Sequence, residues 1–409
     1  MTDVRADVGP TADTGRRYAV VLTTIGEGGI LLAYAELLRR HPRPDNVSVH
    51  IIGDVNTPPE CARQAQRLAA EGLRFDYVDC MRQEAFLRPF PELARALPYR
   101  SDCRRNVGFL LGLQSGADVL ISIDDDSYPP LDGDFLRNHG AVGTRQTLPV
   151  TRTENGWFNV GALLTARDAQ SRPFTLYCRG YPYARRGGDQ SAVADSAHET
   201  AVVGANLGLW LGEPDLDAAT RLVMPCQTSA LLVPACFLGI GHRTPISSQN
   251  AAVAWHAVPA YYFVVQGQSI GGLRINRYGD IFSGYFLQMC AESVGHRVRI
   301  GEPCIQHHRN QHDLLADLAA ELPGMALLNA MIPLLEDPLP PSPSYVDAYR
   351  LLADRLDAWE PRQQQGFLST GETRVFCRNL TRQMRHWLNA CVEIAGGERS
   401  LGVSRHPGR

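Results

Sequence analysis

A chain of 409 residues, 44% hydrophobic and 20% charged, can bury a large core, which excludes a disordered chain. Its formal net charge of −3 leaves no basic face for a phosphate backbone, so nucleic acid is excluded as a partner. No run reaches the roughly 18 uninterrupted apolar residues of a membrane span, the first residues lack the apolar stretch of a secretory signal, and the ten cysteines form no Cys-x-x-Cys pair. A reduced, cytoplasmic protein with no membrane partner is expected.

In chain order, residues 1–16 are polar and read as a disordered tail. "RRYAVVLTT" gives a buried strand ending at Thr24, and "IGEGG" turns it into the apolar-periodic helix Ile30 to Arg40. "VSVHIIGD" is a second strand, "PPECARQAQRLAAEG" a helix opened by prolines and closed by Gly72, and "LRFDYVD" a third strand. "RRNVGFLLGLQSG" is a helix feeding the strand Val119 to Ile123. Strands alternating with helices predict an α/β fold with a mostly parallel sheet flanked by helices. After about residue 150 short strands and Gly/Pro-rich loops are expected. From residue 310 the pattern turns helical ("HDLLADLAAEL", "YVDAYRLLADRLDAWE", "RVFCRNLTRQMRHWLNACVEIAG"), interrupted by the proline-rich joint "EDPLPPSPS". The expected organisation is a tail, a catalytic domain over 17–309 and a C-terminal helical region over 310–409.

The most informative stretch is "ADVLISIDDDSYPP". A buried strand ends in Asp124, Asp125 and Asp126, at the edge where open α/β sheets bind ligands. Three adjacent carboxylates raise one another's pKa values unless a cation sits among them, so a divalent metal competes with a solvated loop as the reading. "IGEGG" fails as a dinucleotide fingerprint, because Leu31 stands where the third glycine belongs and Asp54 comes late. Neither NAD nor flavin is therefore expected, although Thr23, Thr24 and Asp54 could hold a nucleoside. "CIQHHRNQH" places three histidines in one loop, which with the distant aspartates suits Mn²⁺ or Mg²⁺. Asp280 in "RINRYGDIFSGYF" reads as a helix N-cap or a site carboxylate. Arg179, Arg185 and Arg186 in "CRGYPYARRGG" suit a diphosphate or form a solvated basic turn.

"IDDDSYP", "RGYPYARRGG", "GLWLGEPDLDAATRLVMP", "INRYGDIFSGYF" and "GEPCIQHH" occur in the order and approximate spacing of the reversibly glycosylated polypeptides, the UDP-arabinopyranose mutases of plants, and the chain resembles that family from about Tyr18 to His308. The resemblance implies a GT-A-like domain and a Mn²⁺-dependent, flavin-free mutase that interconverts pyranose and furanose forms of a nucleotide sugar. Asp124, Asp126 and His307 are then the expected metal set. Arg179, Arg186 and Asp280 are the expected catalytic residues, Arg186 falling where the family carries its reversibly glycosylated arginine. Thr23, Thr24, Asp54, Arg105, Asp124, Asp125, Trp210, Asp217 and Arg185 are the expected substrate-binding residues. The family's Leu-Arg-Glu is here Arg185-Arg186-Gly187, and its Asp-Asp pair is Gly279-Asp280. The guanidinium's high pKa favours charge stabilisation by Arg186 over nucleophilic attack. The expected substrate is a UDP- or GDP-linked hexose or 6-deoxyhexose such as GDP-fucose, with a homo-oligomer as the expected assembly. A glycosyltransferase acting on a small acceptor and a non-catalytic nucleotide-sugar-binding scaffold are the rival readings.

Overall fold

In a computed structural model of the chain, residues 15–130, 134–187, 191–265, 267–310, 313–361 and 368–402 are described. The expected tail lies almost wholly outside them, as does His312. Strands β1 (Tyr18–Thr24), β2 (Val47–Gly53), β3 (Phe75–Val78) and β4 (Val119–Ile123) are mostly apolar and buried and pair in parallel in the order β3-β2-β1-β4. Helices α1 (Ile30–Arg40), α2 (Pro59–Ala70), α3 (Cys80–Leu87), α4 (Pro91–Ala96) and α5 (Arg105–Gln114) connect them. Helix α5 packs closely on the sheet. A Cβ on Gly108 would sit 2.3 Å from Val21 Cγ1, and one on Gly112 2.9 Å from Leu120 Cδ1, so only glycines let this helix lie so close. That fixes Arg105, the first residue of α5, over the strand ends.

The sheet continues with mixed pairing. The short β5 (Ser127–Tyr128) and helix α6 (Asp134–His139) are followed by β6 (Arg145–Arg152), β7 (Leu164–Asp168) and the long β8 (Ala192–Gly212). Helix α7 (Ala218–Val223), β9 (Cys226–Leu231), β10 (Ala235–Phe237) and β11 (Asn250–Ala254) come next, β11 pairing antiparallel with both β4 and β8. A two-stranded ribbon, β12 (Ser269–Ile270) and β13 (Leu273–Arg274), precedes α8 (Gly279–Ser293) and β14 (Arg297–His307). Strand β14 runs parallel to β8 and antiparallel to β5, which sets His307 opposite Ser127 and Gly212. The expected α/β class with a flanked sheet, parallel over β1 to β4 and mixed beyond, is met, and C-terminal helices follow it. The irregular texture expected after residue 150 is corrected by β8, whose 21 residues carry "GLWLG" at their end.

Helices α9 (Leu314–Glu336), α10 (Tyr345–Ala358) and α11 (Thr370–Ile394) close the chain, with α12 (Glu398–Leu401) after them. Trp387 on α11 donates its indole N–H to Pro259 O at 3.0 Å, and its ring packs 5.6 Å from Tyr262. The helix expected to stop near Leu322 instead runs through Pro323 and Pro333 to Glu336. Pro323 has no N–H to give the Ala319 carbonyl one turn earlier, and the neighbouring Ala320 carbonyl accepts from the Asn276 N–H at 3.0 Å. By length and composition α9 could cross a membrane, with a mean hydropathy of 1.5; in the fold 56% of that window is buried against protein. It also carries buried carboxylates, Asp317 and Glu321.

Candidate active site

Parallel strands leave their carboxyl-terminal residues unpaired beyond the sheet, and here they open into a cleft of about 700 Å³. Thr23 and Thr24 enter it from β1, Asp54 from the end of β2, and Asp124, Asp125 and Asp126 from the end of β4. Arg105 binds these ends together. Its guanidinium donates to Ser122 Oγ at 2.8 Å, Ile123 O at 3.0 Å, Ser248 O at 3.1 Å, Thr23 Oγ1 at 2.9 Å and Asp124 Oδ1 at 2.5 Å. Thr24 Oγ1 donates to Asp125 Oδ2 at 2.7 Å, and Asp54 Oδ2 accepts from the Ser101 N–H at 3.0 Å.

The three aspartates differ in environment. Asp124 is reachable through the cleft mouth but ringed by protein. Desolvation pushes its carboxyl up to about 6, with the Asp126 charge adding to this and Arg105 opposing it. Burial also raises Asp125. Burial alone would raise Asp126, but the hydrogen bond and charge of His307 hold it below the ordinary carboxylate range. His307 Nε2 lies 3.1 Å from Asp126 Oδ2, while Nδ1 faces Glu213 O; burial would depress this imidazole, and Asp126 overrides that and raises it. Among the described residues no three His, Cys, Asp or Glu side chains converge as a metal cluster. Asp126 and His307 are paired with each other and Asp124 with Arg105, so the expected metal set is on one wall without converging. One observation still favours a cation there: Asp126 Oδ1 is buried and has no hydrogen-bond partner.

Arg179 sits between two carboxylates. It donates to Asp215 from Nε (2.9 Å) and Nη2 (3.1 Å), to Asp280 from Nη1 (3.0 Å) and Nη2 (2.7 Å), and to the Arg277 carbonyl. All five of its N–H groups are engaged. The expectation that Arg179 binds a diphosphate is therefore corrected: it has no donor to spare. Asp280 is not an N-cap either, since it lies inside the first turn of α8 after Tyr278. Burial would raise its carboxyl, but Arg179 dominates and holds it below the ordinary range, so it is not poised as a base near neutral pH. The second carboxylate missing beside Asp280 in sequence is matched in space by Asp215, across the same guanidinium.

Four expected residues lie away from the cleft. Trp210 is buried in β8. Asp217 caps α7, accepting from the Thr220 N–H at 2.8 Å, and is fully buried. Arg186 donates to Asp217 Oδ2 at 2.6 Å and Thr220 Oγ1 at 3.0 Å, with its guanidinium 3.7 Å over the Tyr183 ring. Arg185 pairs with Glu336. None of the four lines the cleft, because the turn of Tyr183–Arg185 folds these arginines back onto α7 and α9.

Sequence reasoning missed Arg221, Arg277 and Arg309, all of which face the cleft. Each stands within a few residues of one already chosen, in "DAATR", "INRYGD" and "HHRN". The signal was the arginine itself, the only cation type in each segment. Arg277 holds a left-handed backbone, φ 59°, uncommon for a residue with a side chain. Burial depresses Arg309, and the Arg221 and Arg277 charges depress it further.

Comparison with known proteins places the chain in a family. A family model described as "Reversibly glycosylated polypeptide" matches residues 90–349, more than half of the chain. The probable UDP-arabinopyranose mutase 4 of Arabidopsis thaliana is 30% identical over 247 residues, 60% of each chain. The probable UDP-arabinopyranose mutase 1 of Pisum sativum is 30% identical over 167 residues, 40% of this chain and 42% of that one. The chain thus spans about half the length of the relatives it matches. Among solved structures, the glucosyl-3-phosphoglycerate synthase of Mycobacterium tuberculosis in complex with Mn²⁺ and UDP-glucose covers 76% of this chain and 78% of its own at 14% identity, with a TM-score of 0.35, a likeness too low to argue from. On the extent of the family match, with the aspartate triplet, Arg179, Asp280 and His307 inside it, the chain belongs to the reversibly glycosylated polypeptide family.

Proposed function

We propose that the chain is a nucleotide-sugar mutase that interconverts pyranose and furanose forms of a UDP- or GDP-linked hexose or 6-deoxyhexose, GDP-fucose being one candidate. The observation that carries this is the strand-end cleft, in which the triplet, Arg105, the Arg179–Asp280 pair and His307 face one space, in a member of a family whose relatives include UDP-arabinopyranose mutases.

The chemistry asks little of the protein beyond charge control. The anomeric C–O bond breaks with its electron pair leaving on the diphosphate, giving an oxocarbenium-like sugar; the O4 hydroxyl then bonds to C1 while the C1–O5 bond breaks with its pair on O5, which takes the proton released by O4, and a diphosphate oxygen returns to C1 of the five-membered ring. Thr23, Thr24 and Asp54 hold the nucleoside at the ends of β1 and β2. Arg105 fixes Asp124 and ties the strand ends into one rigid surface, so the leaving group meets preorganised dipoles. Asp126 and His307, with Asp124, would hold a divalent cation, Mn²⁺ or Mg²⁺, which supplies charge neutralisation to the departing diphosphate when bound. The His307 imidazole must release Asp126 and be neutral to take part, which favours activity above its raised pKa. Asp280, ionised and sharing Arg179 with Asp215, is held as a fixed carboxylate on the cleft wall.

The test is incubation with Mn²⁺ and a panel of UDP- and GDP-sugars, with and without acceptors, resolved by chromatography. An isomeric nucleotide sugar supports the mutase. Acceptor-dependent release of free nucleotide would make it a transferase, and binding without turnover a scaffold; either overturns the proposal.

A further inference from the structure

Three arginines from three separate loops or helices reach the same end of the cleft: Arg221 from α7, Arg277 from the segment before α8, and Arg309 from just beyond β14. Like charges do not gather in this way without something to hold them. The holder is one face of α9. Asp317 and Glu321, one turn apart on that helix, project toward all three segments. Asp317 Oδ2 accepts from Arg309 Nη2 at 2.8 Å, and its Oδ1 lies 3.4 Å from Arg277 Nη1. Glu321, with no exposed surface, accepts from Arg277 Nε at 3.0 Å through Oε1 and from the Ala218 N–H at 2.7 Å through Oε2, which anchors the helix bearing Arg221. Two buried carboxylates in a mostly apolar helix therefore grip the cations from behind.

Two of the three keep guanidinium N–H groups to spare: among the described residues Arg309 engages only Asp317, and Arg277 only Glu321 and Asp317, whereas Arg221 is held at Nη1 by Glu213 and at Nη2 by the Pro214 carbonyl, with Nε buried. Arg277 adds the left-handed backbone noted above, held by the bond from Arg179 to its carbonyl, the kind of local strain that persists where the surroundings fix a functional group. The location is also specific. Arg309 follows His307 closely, and Asn310 reaches Asp125 Oδ1 at 3.4 Å, so the cluster borders the aspartates.

We propose that Arg221, Arg277 and Arg309 form the clamp for the diphosphate of the substrate, and that Asp317 and Glu321 are its positioning residues. The assignment rests on the nucleotide-sugar reading for its physiological ligand, but the anion site itself can be tested without turnover. It replaces Arg179, Arg185 and Arg186, whose guanidinium groups are committed to Asp215 and Asp280, to Glu336 and to Asp217. Arginine geometry suits two adjoining phosphoryl groups, each offering oxygens to a planar fork.

The probes are inorganic pyrophosphate and orthophosphate, titrated calorimetrically into the full chain. Wild type is expected to bind pyrophosphate more tightly than orthophosphate. Arg277→Gln and Arg309→Gln should each weaken pyrophosphate by about 10- to 100-fold, the scale of a lost charge-assisted hydrogen bond. Asp317→Asn should lower the ratio of the two affinities, and Arg309→Lys should restore part of the loss of Arg309→Gln. A merely structural role would reduce the competent fraction and leave that ratio unchanged. The clamp is refuted if wild type shows no preference for pyrophosphate, or if folded Arg277→Gln and Arg309→Gln bind it as wild type does. Pyrophosphate binding that these substitutions weaken, in a protein that isomerises no nucleotide sugar, would uphold the clamp and refute the mutase. Isomerisation with pyrophosphate affinity indifferent to both substitutions would do the reverse.

Discussion

Replacing Arg179 by methionine keeps most of the side-chain volume and removes the cation shared by Asp215 and Asp280, whose side chains are only 13% and 7% exposed. Breaking a buried ion pair from one side costs about 3–5 kcal/mol, because the partner stays buried and uncompensated. Here two carboxylates are left facing each other, so the upper part of that range applies at pH 8. The two cannot both remain ionised, and one should take a proton with a strongly raised pKa. The sign follows from linkage. In wild type Asp280 is depressed, so its contribution is complete above the ordinary carboxylate pKa, is lost only as pH falls through the depressed value, and is flat between pH 5 and 8. In Arg179→Met the native carboxylate binds its proton more tightly than the unfolded one, so stability is greatest at low pH and falls as pH rises toward the raised value. The difference between wild type and variant should then grow from pH 5 to pH 8 by about 1.4 kcal/mol for each unit over which that proton is held, or about 3 kcal/mol over two units. Urea unfolding followed by tryptophan fluorescence at the two pH values measures it. A destabilisation equal at both, or below about 1 kcal/mol at both, would show that Arg179 is not the charge link between these groups.

His139 is buried between Asn250 Oδ1 at 2.9 Å and Asn206 Nδ2 at 3.1 Å, and burial pulls its imidazole down to about 3. A neutral native histidine contributes stability that is complete above about pH 6.5 and lost as pH falls below it, at about 1.4 kcal/mol per unit; the urea midpoint should fall between pH 7 and 4.5, and His139→Gln should flatten that slope, an unchanged slope refuting the assignment. Asp126→Ala should lose turnover and its response to added Mn²⁺; full activity of this variant in chelator would remove the metal from the proposal. Arg186→Lys, lying outside the cleft, should lose less than the roughly 100- to 1000-fold that deletion of a preorganised donor costs. Intact-protein mass spectrometry should find no sugar on Arg186 during turnover, and an adduct there that forms and decays as fast as the reaction would overturn this placement.

Strand ends were readable because the apolar run before Asp124 leaves its side chains no other place to go, and the same logic recovered Thr23, Thr24 and Asp54. His307 was found by type, yet its meeting with Asp126 depends on the pairing of β14 with β5, a long-range register that no local pattern encodes. Arg179 was chosen correctly as a cleft residue and wrongly as a ligand donor, because its two carboxylate partners lie 36 and 101 residues away. Arg186 was misplaced for the same reason: nothing around "YARRGG" announces that Asp217 will claim it. The run of α9 beyond Leu322 was hidden by Pro323 and Pro333, which read locally as helix ends but stand inside the helix here.

The five bonds of Arg105 have a consequence for how this protein could change its substrate. They stitch β1, β4 and the residues before β11 into a base that cannot flex without breaking several buried contacts at once. The arginine cluster, by contrast, shares one support, Asp317 and Glu321 of α9, so a shift of that helix would act on Arg277, Arg309 and the start of α7 together. Under the proposed function, variation in α9 would therefore reshape the arginine end of the cleft, and with it the choice of sugar, while leaving the Arg105 base as it is.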